Sequence, residues 1–365
     1  MRVMFTSIGL AGHFYPLVPL AWAFRAAGHE VLVVTQEHFL ATAVRSGLPV
    51  ATSGPSGDLA GTTVRDGGFA SLFGRSARRG LRGFRSIVDS WRPDLVVSER
   101  AEFAGRVAAA GAGLPYVELH WGIPALRKYE SAALVELGLA GLPDPAAVLN
   151  PWPPSLRLPH AVGHLGLRNV VYNGDTVVPD WVWHPRERPR VCLTLGTVLP
   201  RLGEQFAATV QSVLEHLAAL EVELVVAVDD AVATRLPALP AEVTHVGRMA
   251  LSPVLAACDA VVHHGGQGTA LTAFDAGCPQ LILPDFDDQF DNAAAVVRAG
   301  AGLRLLPDEA TPRAVAQHCA DLLGSPRFGV AANRVAGEIA TLPSPAVVVD
   351  RLVQVAREAG PATAA

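Results

Sequence analysis

Ala260-Val261-Val262-His263 is a short apolar run, and His264-Gly265-Gly266-Gln267-Gly268-Thr269 follows it without a break. A helical stretch then runs from about Thr269 to Ala276 and stops at Gly277, with Pro279 beyond it. Strand, glycine loop and helix start, in that order, are the unit from which open α/β sheets with ligands at their strand ends are built. The same unit predicts an anion site. Unpaired backbone N–H groups and the positive end of the helix dipole face the loop, and glycines let the backbone come close to a phosphate. By position alone, a phosphate site and a merely tight turn fit this loop equally well.

Working outward, the second half alternates in the same way. Strands are predicted at 191–195, 222–228, 243–246, 260–263 and 280–283, with helices at 205–220 and 311–324. A short helix at 252–257 is expected to be capped by Ser252, with Pro253 next. The first half repeats the rhythm, with strands at 3–8, 30–35, 94–98 and 116–119 and helices at 16–27, 37–45, 76–91 and 101–110. Residues 52–75 are rich in Gly, Ser and Thr without a clear period and read as a mobile surface segment. The proline-rich stretch 141–189 breaks the rhythm. The expected division is a first domain at 1–172, a linker at 173–189, a second domain at 190–343, and a C-terminal helix in 344–365 that crosses back to the first domain.

With 365 residues the chain is long enough for two domains, and half of it is hydrophobic. A formal charge of −5 argues against a nucleic-acid scaffold, which needs a basic face. Cys192, Cys258, Cys278 and Cys319 form no CxxC pair and read as buried thiols suited to a reducing cytoplasm. No signal peptide is recognised at the N-terminus, and no uncharged apolar run approaches the roughly 20 residues of a membrane span. Cytoplasmic localisation is therefore expected.

From His264 to Asn292 the chain reads HGGQGTALTAFDAGCPQLILPDFDDQFDN. Together with Gly12-His13-Phe14-Tyr15-Pro16-Leu17 and Leu193-Thr194-Leu195-Gly196-Thr197, this closely resembles the family-one glycosyltransferases, especially the antibiotic and macrolide glycosyltransferases of actinomycetes. The resemblance covers nearly the whole chain. It implies the GT-B fold, two Rossmann-like doubly wound domains facing across a cleft. It further implies an inverting, metal-independent transfer of a hexose-type sugar from a nucleotide diphosphate donor to a hydrophobic natural-product aglycone such as a polyketide. On the same ground, His264 matches the histidine that binds the donor diphosphate. Gly266, Gly268, Thr269 and Thr197 match phosphate-holding positions, Met249 the loop that reads the base edge, and Asp288-Gln289 the pair that reads sugar hydroxyls. His263, one residue earlier, reads as structural.

Two departures stand out. Thr272 occupies the place where plant relatives carry a glutamate that grips both ribose hydroxyls. A deoxyribose has no 2′-hydroxyl, so a dTDP-sugar, and a deoxysugar in particular, is expected over UDP-glucose. Arg248 stands where many relatives carry a tryptophan. The Asp285-Phe286-Asp287 run looks like a DxD metal motif, but it lies inside the matched signature at the start of a helix, where carboxylates favour the dipole; no metal and no other cofactor is expected.

His13 follows the first strand in a glycine-flanked loop. A neutral imidazole there can accept a hydroxyl proton, and the match to the family's N-terminal motif implies the catalytic base. Glu99, ending Asp94-Leu95-Val96-Val97-Ser98-Glu99, takes the place of the family's orienting aspartate; a surface carboxylate paired with Arg100 or Arg106 is the alternative. Tyr15, Phe69, Phe73 and Trp121 are the candidate acceptor contacts, with a hydrophobic core role open for each. Rival readings are a sugar-nucleotide epimerase on the same two-domain plan and a non-catalytic donor-binding subunit. A dehydrogenase fits poorly, because the first loop lacks GxGxxG. Oligomeric state, monomer or homodimer, is left open.

Overall fold

A computed structural model describes residues 1–55, 68–174, 176–194, 204–236 and 239–359, with only the backbone of 204–209. Two parallel sheets carry the chain. The first contains β1 (Arg2–Thr6), β2 (Glu30–Thr35), β3 (Val50–Thr52), β4 (Leu95–Glu99), β5 (Tyr116–Leu119), β6 (Ala147–Asn150) and β7 (Leu165–Gly166). Its order is β3-β2-β1-β4-β5-β6-β7. The second contains β8 (Arg190–Thr194), β9 (Glu223–Ala227), β10 (Val243–Gly247), β11 (Ala260–His263), β12 (Gln280–Ile282) and β13 (Gly302–Arg304). Its order is β10-β9-β8-β11-β12-β13.

Each order reverses once, between β1 and β4 and between β8 and β11. Such switch points leave a crevice beyond the carboxyl ends of the strands. The central strands are continuous apolar runs because helices cover both their faces. Val3, Met4 and Phe5 are fully buried, as are Leu95, Val96 and Val97 beside them, with Val3 in register with Val31 on one side and Leu95 on the other. Val191, Val261 and Val262 do the same in the second sheet.

Helix ends follow local chemistry. Thr311 caps the helix Pro312–Leu323 by accepting from the Ala314 N–H, and Ser344 caps Pro345–Glu358 through the Val347 N–H. That last helix packs against Val18–Ala26, and Val348, Val349, Leu352 and Val355 join the core of the first sheet. No single helix among the described residues is long and apolar enough to cross a membrane.

Several sequence expectations shift. The short helix is Leu251–Ala256 with Ala250 at its N-cap, so Ser252 lies inside the first turn and caps nothing; Pro253 is tolerated there because first-turn N–H groups have no intrahelical partner. The helix expected from Ser76 begins at Gly68, since Leu72 and Phe73 bury an apolar face against Tyr129 and Ala133. Residues 56–67 of the segment read as mobile lie outside the described residues. The helices Arg127–Leu137 and Arg327–Thr341 and the two-to-four-residue strands β6 and β7 were not anticipated. The four cysteines are buried and unpaired.

Candidate active site

His13 sits at the first switch point. It belongs to a one-turn helix, Ala11–Phe14, rather than to the loop expected. Its Nδ1 lies 3.2 Å from Glu99 Oε2, at the end of β4. Glu99 is not a surface carboxylate. Its side chain is fully buried and accepts the Trp121 indole N–H at 2.6 Å, the Ala101 N–H at 2.8 Å and the Ile8 N–H at 3.3 Å. Burial pushes this carboxyl up, but the His13 charge and the hydrogen bonds from His13, Trp121 and Ala101 outweigh it, and the group is held below its ordinary range. The pair is therefore a carboxylate facing an imidazole, which fixes Nδ1 toward Glu99 and leaves Nε2 for other chemistry. Trp121 and Phe73 meet the His13 ring edge-on, at centroid distances of 4.4 and 5.5 Å.

The second switch point is built from main chain. Gly265 has φ +90°, and a side chain there would meet Ile282 Cγ2 at 2.9 Å and the Gln289 carbonyl at 3.1 Å. Only glycine fits, although the sequence singles out Gly266 and Gly268 instead. Gly266 is the N-cap of the helix Gln267–Asp275 and has no side-chain cap. The first-turn N–H groups therefore meet no N-cap side chain, which is the condition under which a helix start can take an anion. His264 leans over Gly266, and its buried Nδ1 has no hydrogen-bond partner. Burial pulls its pKa down to about 4, so the ring is neutral at physiological pH and can donate one N–H. His263 is wholly internal: its Nδ1 accepts the Gly265 N–H at 3.1 Å, and its Nε2 faces Gln280 Oε1 at 3.0 Å. Burial, reinforced by His264, lowers it to about 3.

Both switch points open on one cleft of about 360 Å³. His13, Tyr15 and Trp121 line it from the first domain, and Met249, His264, Gly266, Gly268, Thr269, Asp288 and Gln289 from the second. Asp288 is half-buried at the cleft wall and accepts the Asn292 amide at 2.8 Å; desolvation raises its carboxyl above the ordinary value against the Asn292 bond and the charges of His13 and Arg100. Gln289 is mostly turned inward, its Oε1 accepting the Asp285 N–H at 2.9 Å. Thr272 also lines the cleft, but its hydroxyl donates to the Gly268 carbonyl at 2.6 Å. Phe73 is buried behind His13, and Phe69 stacks on Phe286 at 5.2 Å; neither is among the described lining residues, whereas Phe286 is. Thr197 lies outside the described residues.

The Asp285-Phe286-Asp287 run is engaged in protein contacts. Asp287 takes Lys128 Nζ and the Tyr129 hydroxyl across the domain gap. Among the described residues no group of three His, Cys, Asp or Glu side chains has the geometry of a metal site. Sequence reasoning passed over Gly265, Gln267, Asn292 and the connector 169–173, which lines the cleft beside Arg248. A polar Gln267 between two glycines was the one visible signal.

Comparison with known proteins agrees with this architecture. Residues 22–196, in two overlapping segments, match the family described as Erythromycin biosynthesis protein CIII-like, N-terminal domain, and residues 211–355 match its C-terminal domain. L-demethylnoviosyl transferase of Streptomyces niveus is 38% identical, with 99% of this chain and 100% of that protein covered. The glycosyltransferase SsfS6 of Streptomyces sp. SF2575, solved with thymidine diphosphate, is 34% identical at a TM-score of 0.82, covering 97% of this chain and 99% of that one. Spinosyn rhamnosyltransferase SpnG, also solved with thymidine diphosphate, is 30% identical at a TM-score of 0.86, covering 97% and 100%. The chain belongs to the erythromycin biosynthesis protein CIII-like family of actinomycete antibiotic glycosyltransferases and is a GT-B glycosyltransferase.

Proposed function

We propose that this enzyme transfers a deoxysugar from a dTDP-linked donor to a hydrophobic aglycone such as a polyketide, with inversion and without a metal. One observation carries the reading: His13, held from behind by Glu99, and the His264 glycine loop line the same cleft. The acceptor hydroxyl approaches His13 Nε2 and gives up its proton there. Its oxygen bonds to the anomeric carbon as the bond from that carbon to the β-phosphate oxygen breaks. Thymidine diphosphate leaves as the anion. The His264 N–H and the free amides at the start of the helix Gln267–Asp275 stabilise the growing negative charge. Glu99 holds the imidazolium that forms. Attack opposite the leaving group inverts the anomeric centre.

Asp288 is the residue of this cleft suited to accept sugar hydroxyls, and Met249 lies where a base edge would be read. Tyr15 and Trp121 face the acceptor side. The dTDP preference is supported by Thr272, whose hydroxyl is spent on Gly268 and offers no pair of acceptors for two ribose hydroxyls. The thymidine diphosphate bound to SsfS6 and SpnG supports it too. The test is a mass-spectrometric screen of dTDP- and UDP-sugars against mixed aglycones, with and without exhaustive chelation. Glycosylated product from dTDP donors, undiminished by chelator, is expected. Turnover restricted to UDP-glucose, or strict metal dependence, contradicts the reading.

A further inference from the structure

Two buried side-chain amides cross the gap between the domains. Gln267, in the first turn behind the glycine loop, accepts two N–H groups on Oε1, from Gly122 at 2.5 Å and from the Trp152 indole at 2.8 Å. Asn292, with no exposed surface, accepts the Ile123 N–H on Oδ1 at 3.0 Å. Its Nδ2 donates to the Gly265 carbonyl at 2.9 Å and to Asp288 Oδ2 at 2.8 Å. Gly122 and Ile123 belong to the loop after β5, and the residue before them is Trp121, whose indole N–H holds Glu99. Contacts therefore run without a gap from the glycine loop through these amides to Trp121, Glu99 and His13. Gly122 permits the approach: its φ is +71°, and a side chain would come within 3.0 Å of the Asp288 carboxylate. From the first domain, Arg100 Nη1 donates to the Trp121 carbonyl at 2.7 Å, so this peptide is held from both sides.

We propose that Gln267 and Asn292 are positioning residues: they lock the Trp121–Ile123 loop to the donor half, and so hold the Glu99–His13 pair in register with the anion loop. The proposal rests on the reading of His13 as base. A carboxamide oxygen has two lone pairs, and Gln267 uses both on first-domain donors. The amides are neutral, so they set spacing by hydrogen-bond length rather than by a field that salt would screen. Small displacements of a reacting group cost rate steeply. Simple domain glue would lower stability without separating the chemical step from binding.

The experiment compares Gln267→Met, which keeps volume and removes the acceptor, with Asn292→Ala. Thymidine diphosphate affinity is read by calorimetry, and kcat on the donor–acceptor pair found by the screen above. Gln267→Met should lower kcat about 30-fold and Asn292→Ala about 10-fold, with thymidine diphosphate Kd within about threefold of the parent. Added to His13→Ala, Gln267→Met should cost less than about threefold more, because it acts through the residue already removed. Should Gln267→Met not fold, Asn292→Ala decides alone. A kcat within about twofold of the parent in the folded variants, a Kd that weakens in step with turnover, or the same penalty with and without His13 overturns the proposal. Parental turnover in His13→Ala is a different failure: it removes the base reading, and the proposal with it, whatever the amide variants do.

Discussion

The two switch points face one cleft and are built in opposite ways. At the first, side chains do the positioning. An indole N–H and two backbone amides converge on the buried carboxylate of Glu99, which in turn holds His13. At the second, the main chain does it. Gly265 turns the backbone, Gly266 leaves the helix start uncapped, and the one imidazole aimed outward, His264, is kept neutral by burial. The first arrangement suits a group that must gain a proton during the reaction, since Glu99 stabilises the resulting charge. The second suits an anion that must be held and then released, because amides and a neutral ring attract it without a permanent counter-charge.

The sharpest way to break this contrast is to damage each side separately. Glu99→Gln leaves an acceptor for Trp121 but no charge for the imidazolium, and should cost kcat about 10³-fold with thymidine diphosphate Kd unchanged by calorimetry. Gly265→Ala should do the reverse. The strained φ and the contact with Ile282 displace the loop, so thymidine diphosphate binding should weaken about 100-fold. If both variants failed in the same parameter, the division of labour would be wrong.

Stability should also depend on pH through buried groups of both halves. Glu102, buried at the start of the helix Phe103–Gly111, is pushed up to about 7 mainly by burial, against the hydrogen bond from the Gly105 N–H. Its folded value exceeds its unfolded one. Its contribution is therefore complete below the unfolded carboxylate pKa and is lost as pH rises through 7. Glu102→Gln should accordingly gain on the parent by about 2 kcal/mol between pH 5 and pH 8 in urea unfolding. His263 and His264 work in the other direction. Their folded values, about 3 and about 4, lie below the unfolded 6.5. The stability they allow is complete above 6.5 and is lost as pH falls toward 4, so unfolding midpoints should drop on acidification from pH 7 to pH 5. The buried His120, lowered to about 4, adds to the acid side from the first half. The smallest effect expected is on His264→Ala, which removes one N–H from the anion and should weaken thymidine diphosphate about 10-fold.

The fold was legible because buried parallel strands are unbroken apolar runs; the strand 260–263 and the strand 116–119 were read to the residue. The elements missed were those whose pattern is set by a distant partner. The helix from Gly68 starts where Phe73 finds Tyr129, and β6 and β7 are too short to carry a period. At the site, residue types that act by chemistry were visible: His13, Glu99 and His264 stood out by kind and place. Residues that act by contact were not. Nothing local to Gln267 or Asn292 says that a loop 145 or 169 residues away will donate to them. Gly265 was hidden among equivalent glycines, and only its φ distinguishes it.

The most direct test is His13→Ala, with kcat and thymidine diphosphate affinity measured on the same preparation. A fall in kcat of about 10³-fold at a Kd within about threefold of the parent is the predicted result, with proton removal taken away and anion capture left whole. Turnover retained within about tenfold, or thymidine diphosphate binding lost together with it, would contradict a base from one domain that deprotonates the acceptor while the other domain holds the leaving group.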